Sequence, residues 1–205
     1  MKEMKMSKSN KAEAIELKPL KKRTIRLKIK GTTNLLMEKM DMDVVEAYNK
    51  KKAKKMVDKD ERLEEDKIGD KIHYTEDGNI GFPVSGFAKG IVEVAPYIEG
   101  LDKKMVRGSI RILGNIVPIT YKKQTINVAW GKSSGITKAP RKIVRPEFHD
   151  WSCTLDIMFN ESNISIEQIV NLFNWAGFQQ GLGSWRPEKS GSFGQYEVVI
   201  DGKKK

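Results

Sequence analysis

The chain has little of what most chemistry runs on. Its 205 residues include one cysteine, Cys153, which leaves no intrachain disulfide and no thiolate metal cage. Of its two histidines, His73 falls in an expected hairpin. His149 is followed by Asp150, but neighbours along an extended chain point apart, so the pair is no catalytic dyad. In the glycine-bearing stretch from Gly181 to Gly194 no Gly-Lys-Ser/Thr opens a helix, and the stretch does not lie between a strand and a following helix, so it is neither of the two common nucleotide-binding loops. No acid and base can be paired for proton transfer, and neither catalysis nor a cofactor or metal is expected. No apolar run reaches the length of a signal peptide core or a membrane span, and a cytoplasmic location is expected.

What the chain does have is positive charge. Lys and Arg number 38 against 27 Asp and Glu, a formal net charge of +11. Such an excess suits a polyanion, through phosphate neutralisation and release of counterions, provided that the cations cluster. The hydrophobic share of 39% is enough for one domain with a buried core.

Residues 1–23 carry many lysines and few large apolar side chains, which predicts a basic arm without a core of its own. Thr24 to Lys30 alternates Ile25, Leu27 and Ile29 with Arg26, Lys28 and Lys30, the period of a half-buried strand with one basic face. Asp41 to Lys55 begins acidic and ends basic, as a helix dipole favours. Asp77-Gly78 between two apolar stretches predicts a hairpin within 71–82. Helical spacing follows over 85–97, and alternation over Arg107 to Ile112 predicts a strand.

From Gly114 to Asp150 periodicity fades, and Pro140 and Pro146 argue for an irregular basic insertion. Ser152 to Phe159 alternates again and places Cys153 inward. Ser165-x-x-Gln168 opens an apolar stripe expected to end at Gly177, and Tyr196 to Ile200 closes the order before a basic tail at 201–205. Trp151 and Trp175 are expected in the core. The fold class is therefore α+β, with a ferredoxin-like (RRM-like) βαββαβ core over 24–200. Its insertions lie at about 31–82 and 114–150.

The most distinctive stretch runs from Gly181 to Gly194. Gly181, Gly183, Gly191 and Gly194 would let backbone amides approach a phosphate, while Arg186 and Lys189 add charge and Trp185 offers a stacking face. The plainer reading is a long turn whose glycines satisfy positive φ. Further cations of the expected track are Arg26 and Lys28 on the first strand and Lys122, Lys123, Lys138, Arg141, Lys142 and Arg145 in the insertion, where Trp130 could stack on an unpaired base.

This loop resembles the C-terminal glycine-rich loop of the repeat-associated mysterious protein superfamily, RNA-binding proteins of CRISPR systems. Phe82-Pro83-Val84-Ser85-Gly86-Phe87-Ala88-Lys89-Gly90 is similar to the motif that begins the first core helix in the effector backbone subunits of that superfamily. The resemblance implies backbone contact by Ser85 and Lys89 and a gripping role for the insertion. It also implies assembly with further subunits or copies along one strand. Asp41 and Asp43 fall near the position of a cutting aspartate in some relatives, but read more simply as acids at a helix N-terminus.

The expected function is non-catalytic binding of single-stranded nucleic acid, RNA before DNA. The alternatives are a phage accessory that binds single-stranded DNA and a protein that mimics or caps a CRISPR assembly. A ribonuclease is disfavoured.

Overall fold

The computed structural model describes residues 20–40, 66, 68–132 and 140–199. Most of the basic arm, the helix expected from Asp41 to Lys55 and the tail at 201–205 lie outside the described residues. Where the arm was expected to continue to residue 23, Lys22 and Arg23 already belong to β1 (Lys22–Gly31), because they pair with Asn160 and Phe159 of a central strand.

The main sheet is antiparallel, in the order β10-β1-β9-β6-β4-β3, with β5 also paired to β9. Its strands are β1, β3 (His73–Tyr74), β4 (Ile80–Pro83), β5 (Ile110–Ile112), β6 (Ile116–Thr120), β9 (Ser152–Asn160) and β10 (Tyr196–Val199). The two-residue period of β1 and β9 sends Leu27, Ile29, Cys153, Leu155, Ile157 and Phe159 to one face, where all are buried. Against that face lie helices α1 (Val84–Val94) and α3 (Ile166–Gln179), whose Phe87, Ile91, Val94, Ile169, Leu172 and Phe173 complete the core. Among the described residues the opposite face of these central strands carries no helix, and it bears Lys22, Arg26, Lys28 and Lys30. Among the described residues the architecture is a mixed α+β layer of three helices on a curled antiparallel sheet.

Local chemistry explains the helix ends. Ser165 and Gln168 form a reciprocal capping box, so two otherwise orphaned amide donors at the start of α3 are satisfied. Gly177 does not end α3 as expected. The helix continues to Gln179, and Gly177 is glycine because a Cβ there would overlap the carbonyl of Tyr196 on β10.

The expected strand over Arg107–Ile112 is corrected as well. A short helix, α2 (Lys103–Ser109), fills its first half, started by the Asp102 side chain accepting from the Met105 amide, and only Ile110–Ile112 is strand. The Asp102 cap was the overlooked signal.

The largest correction concerns the insertion. Rather than irregular, its described part is a ribbon, β7 (Lys123–Lys132) against β8 (Pro140–His149), joined by β2 (Leu35–Leu36) in a second, three-stranded sheet. Pro146 is tolerated inside β8 because it forfeits only its N–H, while its carbonyl accepts from the Met37 amide. Trp175 is also not core. It is 42% exposed and stacks on Tyr97, whereas Trp151 is fully buried with its indole N–H donating to the Thr33 carbonyl.

Candidate nucleic-acid interface

The two stretches singled out in the sequence meet. A cleft of about 260 Å³ is walled on one side by Phe82, Gly86, Lys89 and Gly90 and on the other by Gly181–Ser184, Arg186 and Glu188, with Glu38 and His73 also facing it. The first wall is the entry and first turns of α1, where Pro83 in extended conformation stops β4 and starts the helix. The second is the loop between α3 and β10.

That loop is held from both sides. The Ser184 amide donates to the Leu36 carbonyl and the Gly194 amide to that of Asn34, so the loop is laced to the segment leading into β2. A Cβ on Gly183, whose φ is +72°, would overlap the Leu36 carbonyl oxygen, and one on Gly191 would overlap that of Trp185. Glycine is therefore demanded here by packing. Many of the loop's amides are already engaged inside the fold, those of Leu182, Ser190, Gly191 and Phe193 among them. The loop works as a rigid wall that presents side chains more than as an open nest of amides.

Glu188 organises those side chains. Its carboxylate accepts from Nε and Nη2 of Arg186, and lies 3.6 Å from Nζ of Lys89 and 3.7 Å from Nζ of Lys189. Arg186 also donates through Nη1 to the Gly183 carbonyl at 2.7 Å, so its guanidinium braces the loop. Burial raises the Glu188 pKa, but the Arg186 hydrogen bonds and the charges of Arg186, Lys89 and Lys189 outweigh it and hold the carboxyl below its ordinary value. The contacts to Lys89 and Lys189 are loose and solvated, with both side chains more than half exposed. These two ammonium groups remain available to an incoming anion.

Glu38 ties the ribbon to the same place. It accepts from Nε of Arg145 on β8 at 2.8 Å and from the Ser184 hydroxyl at 2.9 Å, while the Arg145 guanidinium lies 5.0 Å from the Trp185 ring centre. Arg145 is thus buried and one face of Trp185 is taken. His73, half-buried in the cleft, has its pKa lowered by burial first and by Lys39 second, which favours a neutral ring.

The remaining expected residues scatter. Ser85 is exposed in the first turn of α1 beside the cleft, and Lys122 and Lys123 are exposed where β7 begins. Trp130 projects from β7 at 72% exposure, opposite the half-buried Lys142. Lys138 and the Arg141 side chain lie outside the described residues. Arg26 and Lys28 are not part of the cleft. They project from the sheet face that the helices leave uncovered, and Arg26 pairs with Asp156 at 2.9 Å.

Two acids at the cleft, Glu38 and Glu188, were missed by sequence reasoning. The signal for Glu188 was its place between two cations in Arg186-Pro187-Glu188-Lys189. Cys153 is buried and its thiol is pushed up to about 12, so it serves as packing. Among the described residues no group of three His, Cys, Asp or Glu side chains could hold a metal ion, and no helix is long and apolar enough to cross a membrane.

No family model matches the chain, and no curated protein matches it. Among solved structures the chain is similar to Cmr6 from Pyrococcus furiosus, with a TM-score of 0.46 and 10% sequence identity, covering 88% of this chain and 100% of that one.

Proposed function

We propose that this protein is a non-catalytic binder of single-stranded RNA, which it holds by the phosphate backbone across the cleft between α1 and the 181–194 loop. One observation carries the reading. Two stretches far apart in sequence, Phe82–Gly90 and Gly181–Gly194, converge on one cleft, and the ammonium groups of Lys89 and Lys189 converge on one carboxylate.

A carboxylate that gathers two exposed ammonium groups marks where an anion of similar size is attracted, and a backbone phosphate of equal charge competes for them. Ser85 at the helix start adds a hydroxyl donor. Trp130 on the ribbon offers a bare aromatic surface for a base. The strand order β10-β1-β9-β5, with α1 lying between β1 and β5 in the chain and α3 between β9 and β10, supports reading the core as ferredoxin-like. The sequence resemblance adds the expectation of membership in a CRISPR-type ribonucleoprotein.

The test is fluorescence anisotropy with RNA and DNA oligomers of one sequence, titrated with salt. The logarithm of affinity should fall against the logarithm of salt by roughly 0.7 for each phosphate neutralised, and RNA should bind more tightly than DNA. A flat salt profile would remove the proposal. Equal affinity for the two polymers would remove the choice of RNA.

A further inference from the structure

The face of the main sheet that no helix among the described residues covers is a second concentration of charge, and the cleft does not use it. Because β1 alternates, Lys22, Arg26, Lys28 and Lys30 all project from the side opposite α1 and α3, with Arg111 of β5 on the same side across Met158 of β9. All five are exposed. The acids on this face of β10, β1, β9 and β5 are Asp156, which holds Arg26, and Glu197, which stands opposite Lys30. Among the described residues Lys22, Lys28 and Lys30 form no ion pair.

Alternate residues of a strand recur at about 6.6 Å, so Arg26, Lys28 and Lys30 form a straight ladder of cations rather than a point site. Between the cations lie small polar groups, Thr24, Thr154 and Ser152, which can donate to phosphate oxygens. No aromatic side chain stands on this face of the four strands, so there is nothing on which an unpaired base could stack. Lys89, by contrast, sits on α1, on the other side of the sheet.

We propose that this open sheet face is a second, separate surface for the sugar-phosphate backbone of nucleic acid, and that it is indifferent to whether the bases are paired. A line of cations matches a polymer with evenly spaced charge, and the lack of stacking groups removes any preference for single strands. The proposal goes beyond the cleft reading, since either surface can fail without the other.

The experiment uses the full chain, a fluorescein-labelled 20-base-pair DNA duplex and a labelled single-stranded RNA of the same length. The variants are Lys28→Glu/Lys30→Glu on the face and Lys89→Glu/Lys189→Glu at the cleft. The face variant should lose at least tenfold in duplex affinity, with a salt slope shallower by about 1.8 for two lost phosphate contacts. The cleft variant should bind duplex within twofold of the unaltered protein.

Four results would overturn the proposal. They are no duplex binding by the unaltered protein, duplex binding that survives in the face variant, loss of duplex binding in the cleft variant, and displacement of duplex by polyglutamate at equal charge. The last would indicate an acidic protein as occupant. If the double charge reversal melts early, Lys28→Gln/Lys30→Gln replaces it, with an expected slope change of the same sign and size.

Discussion

Replacing Glu188 by glutamine should tighten nucleic-acid binding while loosening the fold, an opposition that follows from its position. The carboxylate stands 3.6 Å from Lys89 Nζ. A phosphate oxygen on the far side of that ammonium, at about 2.8 Å, lies roughly 6 Å from the carboxylate. Like charges at that distance repel by about 0.7 kcal/mol in water and about 3 kcal/mol at an effective dielectric of about 20. Removing the charge should therefore tighten binding by about threefold to a hundredfold at low salt, and by less as salt screens it.

The same change turns the charge-assisted Arg186 contacts into neutral ones of about half the strength, a stability loss of roughly 1–2 kcal/mol. The two solvated lysine contacts add little. Because the Glu188 pKa is lowered in the fold, its contribution is complete above the ordinary carboxylate range and is lost as pH falls through the depressed value. The difference in urea stability between the two proteins should be full at neutral pH and close in acid. Anisotropy at 50 and 200 mM salt, with urea melts at several pH values, reads both effects. Weaker binding by Glu188→Gln would refute the view that this carboxylate competes with a phosphate for the two ammonium groups.

Three further outcomes are expected. Gly177→Ala, which on an exposed helix would stabilise, should here lower stability by about 1–3 kcal/mol, since its Cβ meets the Tyr196 carbonyl, and thermal melts check this. Trp130→Ala should leave the melting temperature unchanged and cost about 1–3 kcal/mol in affinity for single-stranded RNA if the ring stacks on a base; no loss in an anisotropy titration would remove it from the interface. Cys153 should resist iodoacetamide at pH 8 in the native protein and react fully in denaturant, as mass spectrometry would show; rapid native labelling would contradict its burial and raised pKa.

Where the local pattern and the tertiary demand coincide, the elements are legible from the residues alone. The alternation of Ile25, Leu27 and Ile29, the Asp77-Gly78 turn with Gly78 at φ +79°, and the Ser165–Gln168 box each carry their own signal and appear as expected. The ribbon did not, because its order comes from the pairing of β7 with β8 and from burial of Val144 and Phe148 under other segments. A single-strand pattern containing Pro146 cannot show that.

Trp175 was misplaced because a large aromatic suggests burial, while its solvent side is fixed by the phase of α3. At the cleft, the sequence pointed to the two walls but not to their chemistry. That Arg186 is spent on Glu188 and Gly183, and that Arg26 and Lys28 face away, are consequences of chain direction that residue type does not encode.

The most direct measurement is photocrosslinking of a 4-thiouridine-containing single-stranded RNA to the full chain, followed by mass spectrometry of the linked peptides. Peptides spanning Phe82–Gly90 and Gly181–Gly194 should both carry nucleotide adducts that fade when salt is raised. Adducts found only elsewhere on the molecule, with those two stretches clean, would contradict the account.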